Sequence, residues 1–223
     1  MKKNQYFIKT FTLCAMILFF AGCKKKSIYE DYVNTTQSFN GSAMAYLQAQ
    51  PKGTFDSLLL VINRFPNLKD SLTNQKVTLF APVDKSFQAS IKYLNIQRKS
   101  EGKTPIYLSS ASDVDLYFMV SQYIIRGVKT ADDFSSKPDG ADVVSISSNY
   151  TMHVDYRKLS ASGFVGGGAA SLDFSDSYGS LLRADWTTAT TDAINIKTTN
   201  ATINILSPLH NFGFDRFIYL LDK

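Results

Sequence analysis

The clearest pattern of apolar and polar positions lies around residue 80. Positions 79–81 form a short apolar run, and Pro82 has no N–H with which to continue a sheet ladder, so we predict a strand that ends there. A helix is then predicted to about Arg98, with Asp84 as its N-cap. The apolar face of this helix follows spacings of four and three, at Phe87, Ile91 and Leu94.

The first half of the chain is predicted to be mainly helical. Its other helices begin at residues with side chains that can cap, and their apolar residues recur every three or four positions. They run from Ser42 to Pro51, from the N-cap Thr54 to Pro66, and from the N-cap Ser112 to Gly127. The segment 67–75 is interpreted as a turn-rich link into the strand.

From residue 142 onward, apolar residues alternate with polar ones, which is the period of half-buried strands. Short strands are predicted at 144–146, 150–156, 172–174, 181–186 and 193–197. The tail 212–221 is either a closing strand or a short helix. We therefore predict an α+β fold with its helices concentrated in the N-terminal half.

The N-terminal residues have the pattern of an export signal. Lysines precede an uncharged run of about 13 residues, which is short of the roughly 20 that a bilayer-spanning helix needs. The run ends Phe20-Ala21-Gly22-Cys23, which resembles the lipobox of bacterial lipoproteins, in which the Cys is lipidated. We expect a signal peptide at 1–22, lipid on Cys23 and a tether at 23–41. The alternative is an ordinary secretory signal with a chance Cys.

A lipid on Cys23 would make the membrane a partner and place the chain in the bacterial cell envelope. We expect the outer membrane, with the domain facing either the periplasm or the exterior. Since Cys14 lies in the expected signal, no cysteine would remain for a disulfide.

The charge balance argues against a nucleic-acid partner. The formal net charge is +5, from 24 basic and 19 acidic residues. Without the lysines at positions 2, 3, 9 and 24–26, 18 basic residues remain against 19 acidic ones. The folded part is therefore close to neutral, whereas a nucleic-acid-binding surface would keep a basic excess.

Two segments resemble the signatures of the fasciclin (FAS1) family. Residues 78–87 match T-x-F-A-P-x-[ND]-x-A-F except at Ser86, and residues 199–207 are similar to N-G-x-[IV]-[HY]-x-[IV]-[DN]. The matching residues, which we expect to be structural, are Thr78, Phe80, Ala81, Pro82, Asp84, Phe87, Asn200, Ile203 and Ile205. We predict that the two segments pack together and that Phe80 and Phe87 are buried.

The resemblance implies a single FAS1-like domain over 42–223, a wedge of β-sheet with flanking helices. It also implies a non-catalytic role in adhesion, or in binding a protein or polysaccharide ligand, with no cofactor. A second possible function is that of an accessory glycan-binding protein in a polysaccharide-uptake system, and a third is a purely structural role in the envelope. The family's Tyr-His pair corresponds here to Gln122 and Tyr123, so the hydrogen bond of that His must be supplied differently.

Few residues suggest catalysis or metal binding. His153 lies on an alternating strand with Asp155 on the same face, so the two residues could belong to the Ser-His-Asp relay of a periplasmic hydrolase. The sequence has no Gly-x-Ser-x-Gly elbow that would supply the nucleophile of such an enzyme. His210 is interpreted as a turn residue, and the two histidines lack the spacing of a zinc site. The glycine-rich segment 163–168 lacks the Gly-Lys of a phosphate-binding loop and is interpreted as a surface loop.

Aromatic and acidic residues in the second half have two interpretations each. Trp186 is a candidate platform for stacking on sugar rings, although aromatic residues in strands more often pack in the core or across strands. Its expected companions are Tyr150, Tyr156 and Tyr178. The acidic pairs 132/133 and 173/176 lack the spacing of a calcium loop and are predicted to be solvated loop residues.

Overall fold

Helices dominate the first half of the described residues, which are 37–147, 149–160 and 166–223 of a computed structural model. The helices of this half are α1 (Ala43–Ala49), α2 (Asp56–Asn63), α3 (Pro66–Asn74), α4 (Asp84–Ser100), α5 (Asp113–Ser121) and the shorter α6 (Asp132–Ser135). One more short helix, α7 (Arg216–Leu221), lies near the C-terminus. None of these helices in the described residues is long and apolar enough to span a bilayer. The expected signal peptide, the lipidation site Cys23 and the tether up to residue 36 lie outside the described residues.

Two of the predicted helix starts are wrong. Val83 rather than Asp84 is the N-cap of α4, and Phe55 rather than Thr54 is the N-cap of α2. Asp84 is instead the first residue of α4, and its carboxylate accepts a hydrogen bond of 2.7 Å from the backbone N–H of Ser57 in α2. The carboxylate therefore caps a neighbouring helix, whose first N–H groups have no partner within that helix.

The segment 67–75 is almost entirely helical and is not a link. Pro66 is the first residue of α3, a position where its missing N–H removes no helical hydrogen bond. The side chain of Ser112 caps α5 as predicted, but α5 ends at Ser121 and does not reach Gly127. Residues just beyond it are extended because they pair with the first strand.

The strands form one sheet in the described part of the chain. They are β1 (Val77–Ala81), β2 (Ile124–Arg126), β3 (Ala141–Val144), β4 (Thr151–Lys158), β5 (Ala170–Asp176), β6 (Thr187–Lys197) and β7 (Ala201–Leu206). Their order is β2-β1-β7-β6-β5-β4-β3. The N–H of Ile146, beyond β3, donates to the carbonyl of Ile124 in β2 at 2.7 Å, so the sheet is close to a closed barrel. The predicted α+β class is confirmed.

The two signature segments lie side by side, as predicted. β1 and β7 are parallel neighbours, with Phe80 opposite Asn204. Phe80 and Phe87 are buried, with exposures of 1% and 0%. Phe80 stacks on Phe174 of β5, with 4.0 Å between ring centroids, and Phe87 stacks on Phe212 at 4.1 Å. The first signature therefore joins the far side of the sheet and the C-terminal segment into one core.

The polar signature residues connect elements that are distant in sequence. The side-chain oxygen of Asn200 accepts a hydrogen bond of 2.9 Å from the N–H of Ala43 at the start of α1. The amide of Asn200 donates to two carbonyls at the end of α3, at 3.2 and 2.9 Å. The hydroxyl of Thr78 donates to the carbonyl of Gly127 at 2.8 Å, which holds the chain just after β2.

The second half differs from prediction in two places, and it decides one open alternative. Segment 181–186 is not a strand but part of the loop joining β5 to β6, and it contains a 3₁₀ turn at Arg183–Asp185. β3 ends at Val144, where the strand 144–146 was predicted to begin. The tail, for which a strand and a helix were both open, forms α7 and packs against α4.

Candidate functional site

A cleft lies at the end of the sheet where β5 ends and β6 begins. It has a volume of about 300 Å³, which is the lower end of the range of about 300–1,000 Å³ for small-ligand pockets. It is bordered by Tyr178, Phe214, Asp215, Arg216 and Tyr219. We call this set of five residues the Arg216 cleft.

Two connecting segments build the Arg216 cleft. The β5–β6 loop provides Tyr178, and the segment that follows β7 provides the other four residues. The Tyr178 hydroxyl lies 2.8 Å from Oγ1 of Thr187, the first residue of β6, and it also hydrogen bonds to the carbonyl oxygen of Phe214. This contact holds the two segments together across the end of the sheet.

A buried ion pair lies beside the cleft. Asp176, the last residue of β5, has an exposure of 0%, and Nε of Arg216 donates to its Oδ2 at 3.0 Å. The Tyr150 hydroxyl donates to the other carboxylate oxygen at 2.6 Å, and the backbone N–H of Tyr178 donates to that same oxygen at 2.8 Å. The carboxylate is therefore fully hydrogen bonded, which is the condition under which a buried charge is tolerated.

Aromatic rings surround the guanidinium of Arg216. Its Cζ lies 4.5 Å from the ring centroid of Tyr178, 5.3 Å from that of Tyr150 and 5.5 Å from that of Phe118. These distances are within the range of cation–π attraction. Burial raises the pKa of the Tyr150 hydroxyl, and its hydrogen bond to Asp176 raises that pKa further. Burial also raises the pKa of Tyr178, so both phenols are neutral hydrogen-bonding groups at neutral pH.

The backbone around the cleft has an unusual conformation. Tyr178, Phe214 and Asp215 have φ angles of 52°, 50° and 64°, in the left-handed region that residues other than glycine rarely occupy. Gly213 directly precedes Phe214 and has a φ of 87°, and a Cβ there would lie 2.8 Å from Sδ of Met119. Left-handed backbone of this kind costs about 1–3 kcal/mol per residue and is concentrated at binding and active sites.

The exposed groups of the cleft suit ligand binding. The exposed fraction is 80% for Tyr219 and 38% for Tyr178. Among the described residues, the carboxylate of Asp215 has only distant partners, at 3.4 Å from Nδ2 of Asn211 and 3.5 Å from Oγ1 of Thr187. The cleft thus offers aromatic rings for stacking and a carboxylate that can accept hydrogen bonds.

His153 contacts acidic residues and a backbone carbonyl. Its Nδ1 lies 2.7 Å from the carboxylate of Asp142, and its Nε2 lies 3.6 Å from that of Asp155, which confirms that Asp155 shares its face. In a Ser-His-Asp relay Nε2 would contact the nucleophilic serine. Here Nε2 lies 3.0 Å from the carbonyl oxygen of Asp139, so the relay that the sequence allows is not assembled in the described residues.

Trp186 is half-buried and packs on neighbouring side chains. Its ring lies 4.9 Å from that of His153, and the guanidinium of Arg183 lies 4.9 Å from the same ring. Arg183 also donates to the carboxylate of Asp155 at 2.8 Å, so these contacts hold the β5–β6 loop against β4. Of the three companions expected for Trp186, Tyr150 and Tyr178 contact Arg216, and Tyr156 packs against the hydrophobic core.

The prediction of solvated loop acids is wrong for Asp173 and Asp176. Both lie in β5 and are buried, with exposures of 3% and 0%. Burial raises the pKa of Asp173, and the positive charge of Arg157, whose Nε lies 2.5 Å from the carboxylate, opposes that rise. Asp132 and Asp133 are exposed as predicted, but they lie in α6 and not in a loop. A hydrogen bond from a backbone N–H lowers the pKa of Asp133.

His210 lies in a turn, as predicted, but its side chain is buried. Its Nε2 lies 2.7 Å from the hydroxyl of Tyr123, and that hydroxyl accepts a 2.7 Å hydrogen bond from the N–H of Gly213. The hydroxyl proton is then free to point toward Nε2, which leaves His210 neutral. A histidine from a distant part of the chain therefore stands beside Tyr123.

We expect the free energy of unfolding to fall as the pH is lowered from 7 to 5, in part because of His210. Burial lowers the pKa of His210 from 6.5 to about 3. Below pH 6.5 the unfolded chain therefore binds a proton that the folded chain does not. The free energy of unfolding then falls with the pH until the pKa of His210 in the folded state is reached. The loss is about 1.4 kcal/mol per pH unit, or about 2 kcal/mol by pH 5.

Urea unfolding at pH 7, 6 and 5 measures this loss. The variant His210→Gln is the control, because it keeps a hydrogen-bonding side chain that does not titrate. Its stability should depend less on pH, by about 2 kcal/mol over this range. The same pH dependence in both proteins would contradict the role of His210.

Two sequence interpretations concern metals and phosphates. In the described ranges, no three His, Cys, Asp or Glu side chains are grouped so that they could hold a metal ion. Of the glycine-rich segment 163–168, only 166–168 is described, so the surface loop predicted there lies partly outside the described residues.

Sequence reasoning did not identify the Arg216 cleft. Hydrophobic periodicity applies to helices and strands, whereas Tyr178 and Gly213 to Asp215 lie in turns. Two local signals were present, because Gly213 is typical of a turn and Asp215 is a residue type that often begins a helix. Those signals do not reveal which other loop the turn contacts.

Comparisons with known proteins found a partial structural similarity. No protein-family model and no curated protein sequence matches the chain. Among solved structures, it is similar to one described as a novel fold revealed by a FAS1 domain pair from the insect cell adhesion molecule fasciclin I, with a TM-score of 0.47 and 16% identity. The match covers 73% of this chain and 46% of the other, so this chain spans less than half of that structure's length. FAS1 is the family whose two signatures the sequence resembles.

Proposed function

We propose that this chain is a lipid-anchored, non-catalytic binding protein of the bacterial cell envelope, active in adhesion or in holding a ligand. The Arg216 cleft is the observation that carries the proposal, since it combines exposed aromatic rings with an arginine that is held in place by its hydrogen bond to Asp176. A pre-organised cleft binds well because few groups lose freedom when a ligand enters. The lipobox at Cys23 and the two FAS1-like signatures support the location and the class.

The described part of the chain begins beside one end of β6, and the Arg216 cleft lies beside the other end. The N–H of Phe39 donates to the carbonyl of Lys197, the last residue of β6, at 2.8 Å. The cleft adjoins Thr187, the first residue of that strand. Because β6 has 11 residues, its two ends are roughly 30 Å apart, at about 3.3 Å per residue. The cleft therefore lies at the opposite end of β6 from the point where the described part of the chain begins.

The variant Cys23→Ser is expected to release the chain from membranes into the soluble fraction. Several acyl chains on one cysteine would supply the anchoring, since each buried CH₂ contributes about 0.8 kcal/mol. Immunoblotting of membrane and soluble fractions after cell lysis measures the effect. Cys14→Ser is the matched control, because Cys14 lies in the expected signal and its loss should leave the distribution unchanged. A Cys23→Ser chain that stays in the membrane would overturn the anchor.

The same strains test the binding role. Cells that carry the wild-type chain should aggregate or adhere to coated surfaces more than cells that carry Cys23→Ser. Equal adhesion of the two strains, with the two proteins present in equal amounts, would contradict a role in adhesion or ligand capture at the envelope.

A further inference from the structure

We propose that the Arg216 cleft binds one uncharged sugar ring of a polysaccharide. The inference rests on the proposed binding function and names the chemical class of its ligand. With a volume of about 300 Å³, the cleft lies at the small end of ligand pockets. It therefore suits a single ring more than an extended protein surface.

The charges around the cleft give no net advantage to a charged ligand of either sign. The positive charge of Arg216 is matched by Asp176, whose carboxylate lies 3.0 Å from Nε. An anionic group would therefore meet an arginine that is already paired, together with the exposed carboxylate of Asp215. A cationic group would be attracted by the carboxylate of Asp215 but would also lie beside the guanidinium of Arg216, which borders the same cleft, so the two effects oppose each other. An uncharged ligand meets neither the repulsion from Asp215 nor that from Arg216.

Two tyrosine rings supply apolar contact. Tyr219 follows Arg216 by three residues on α7, so both side chains lie on the same face of the helix. The ring of Tyr219 is 80% exposed, and Tyr178 borders the same cleft with 38% of its surface exposed. A pyranose has an apolar C–H face and a polar rim, so its face can pack on a ring while its hydroxyls reach polar groups.

The Asp215 carboxylate supplies hydrogen bonds for the polar rim of the sugar. Its partners at 3.4 and 3.5 Å are farther away than the 2.7–3.2 Å of an ordinary hydrogen bond. Sugar hydroxyls can therefore donate to it, and charge-assisted bonds of this kind are stronger than neutral ones. The left-handed conformation of Phe214 and Asp215 holds the carboxylate at the border of the cleft before any ligand arrives.

The test is isothermal titration calorimetry of the full chain in detergent with hexasaccharides of different charge. The neutral probes are laminarihexaose, mannohexaose and xylohexaose, the anionic probe is hexagalacturonic acid and the cationic probe is a chitosan hexamer. We expect at least one neutral hexamer to bind, and both charged hexamers to bind at least about tenfold more weakly, which is a difference of about 1.4 kcal/mol. Tighter binding of a charged hexamer, or no binding of any neutral one, would overturn the proposal.

Variants locate the binding site. Tyr219→Ala should weaken binding of the neutral hexamer at least about fivefold, and its fold should be unaffected because the side chain is 80% exposed. Asp215→Asn should also weaken binding, since Asn tolerates the left-handed conformation but loses the charge. Tyr107→Ala is the matched control, because Tyr107 is 56% exposed and does not border the cleft. Unchanged affinity in Tyr219→Ala would place the sugar elsewhere and overturn the assignment.

The outcomes separate this inference from the function on which it rests. If no neutral hexamer binds but wild-type cells still adhere more than Cys23→Ser cells, the sugar assignment fails and the binding function stands. If the two strains adhere equally, the proposed function itself fails.

Discussion

The variant Phe80→Ala is expected to lower the free energy of unfolding by about 3–5 kcal/mol, the range for truncation of a buried phenylalanine. The ring is 1% exposed and stacks on Phe174, with 4.0 Å between centroids and 4° between planes. Alanine would leave a cavity between β1 and β5, and the hydrogen-bonded strands of a near-barrel cannot move together to fill it. Urea unfolding followed by circular dichroism measures the change.

Two further variants make this result specific. Phe80→Leu keeps much of the volume and should cost less than Phe80→Ala. Leu181→Ala removes an apolar side chain that is 97% exposed, and it should change stability by less than about 0.5 kcal/mol. A cost below about 1 kcal/mol for Phe80→Ala would contradict its position in the core.

Arg216→Met is also expected to destabilise the protein by about 3–5 kcal/mol, the range for breaking a buried ion pair by removing one partner. The carboxylate of Asp176 would stay buried at 0% exposure without its cation, although Tyr150 and a backbone N–H would still donate to it. Methionine keeps much of the length of the arginine, so most of the loss would come from the charge. Urea unfolding at pH 7 measures this change.

A double variant tests whether the pair is the cause. Asp176→Asn combined with Arg216→Met removes both charges, so it should be more stable than Arg216→Met alone. Lys223→Met is the control, because it removes only an exposed contact of 3.8 Å to Asp115, and it should cost less than about 1 kcal/mol. A double variant less stable than Arg216→Met would contradict an unpaired buried charge as the source of the loss.

The helix starts show how far local sequence predicts structure. Ser112 was correctly identified as a cap, because its hydroxyl accepts from an N–H only three residues away. Asp84 was assigned to the start of its own helix, but its carboxylate caps α2, 27 residues earlier. Capping within one turn can be read from the sequence, whereas capping between helices depends on how the helices pack.

The acidic residues of β5 show that local sequence also fails to predict which charged side chains are buried. Asp173 and Asp176 stand among Ser, Tyr and Gly residues, a composition that is typical of exposed loops. In the structure the strand lies inside the sheet, between β4 and β6, and its acids are paired with Arg157 and Arg216. The cations that make this burial tolerable come from an adjacent strand and from the C-terminal helix, so no local pattern indicates them.

By itself, the sequence determined the α+β class, the helical first half, the pairing of the two signature segments and the burial of Phe80 and Phe87. The first two of these features depend on apolar spacing, proline and turn residues, which act over a few positions, whereas the pairing and the burial were expected from the resemblance to the two FAS1 signatures. Only the tertiary structure decided that Tyr178 and Phe214, 36 residues apart, meet across the end of the sheet and form the Arg216 cleft. The physical reason is that β5, β6 and β7 must pair before their loops become neighbours, and this long-range pairing leaves no periodic trace in the loops themselves.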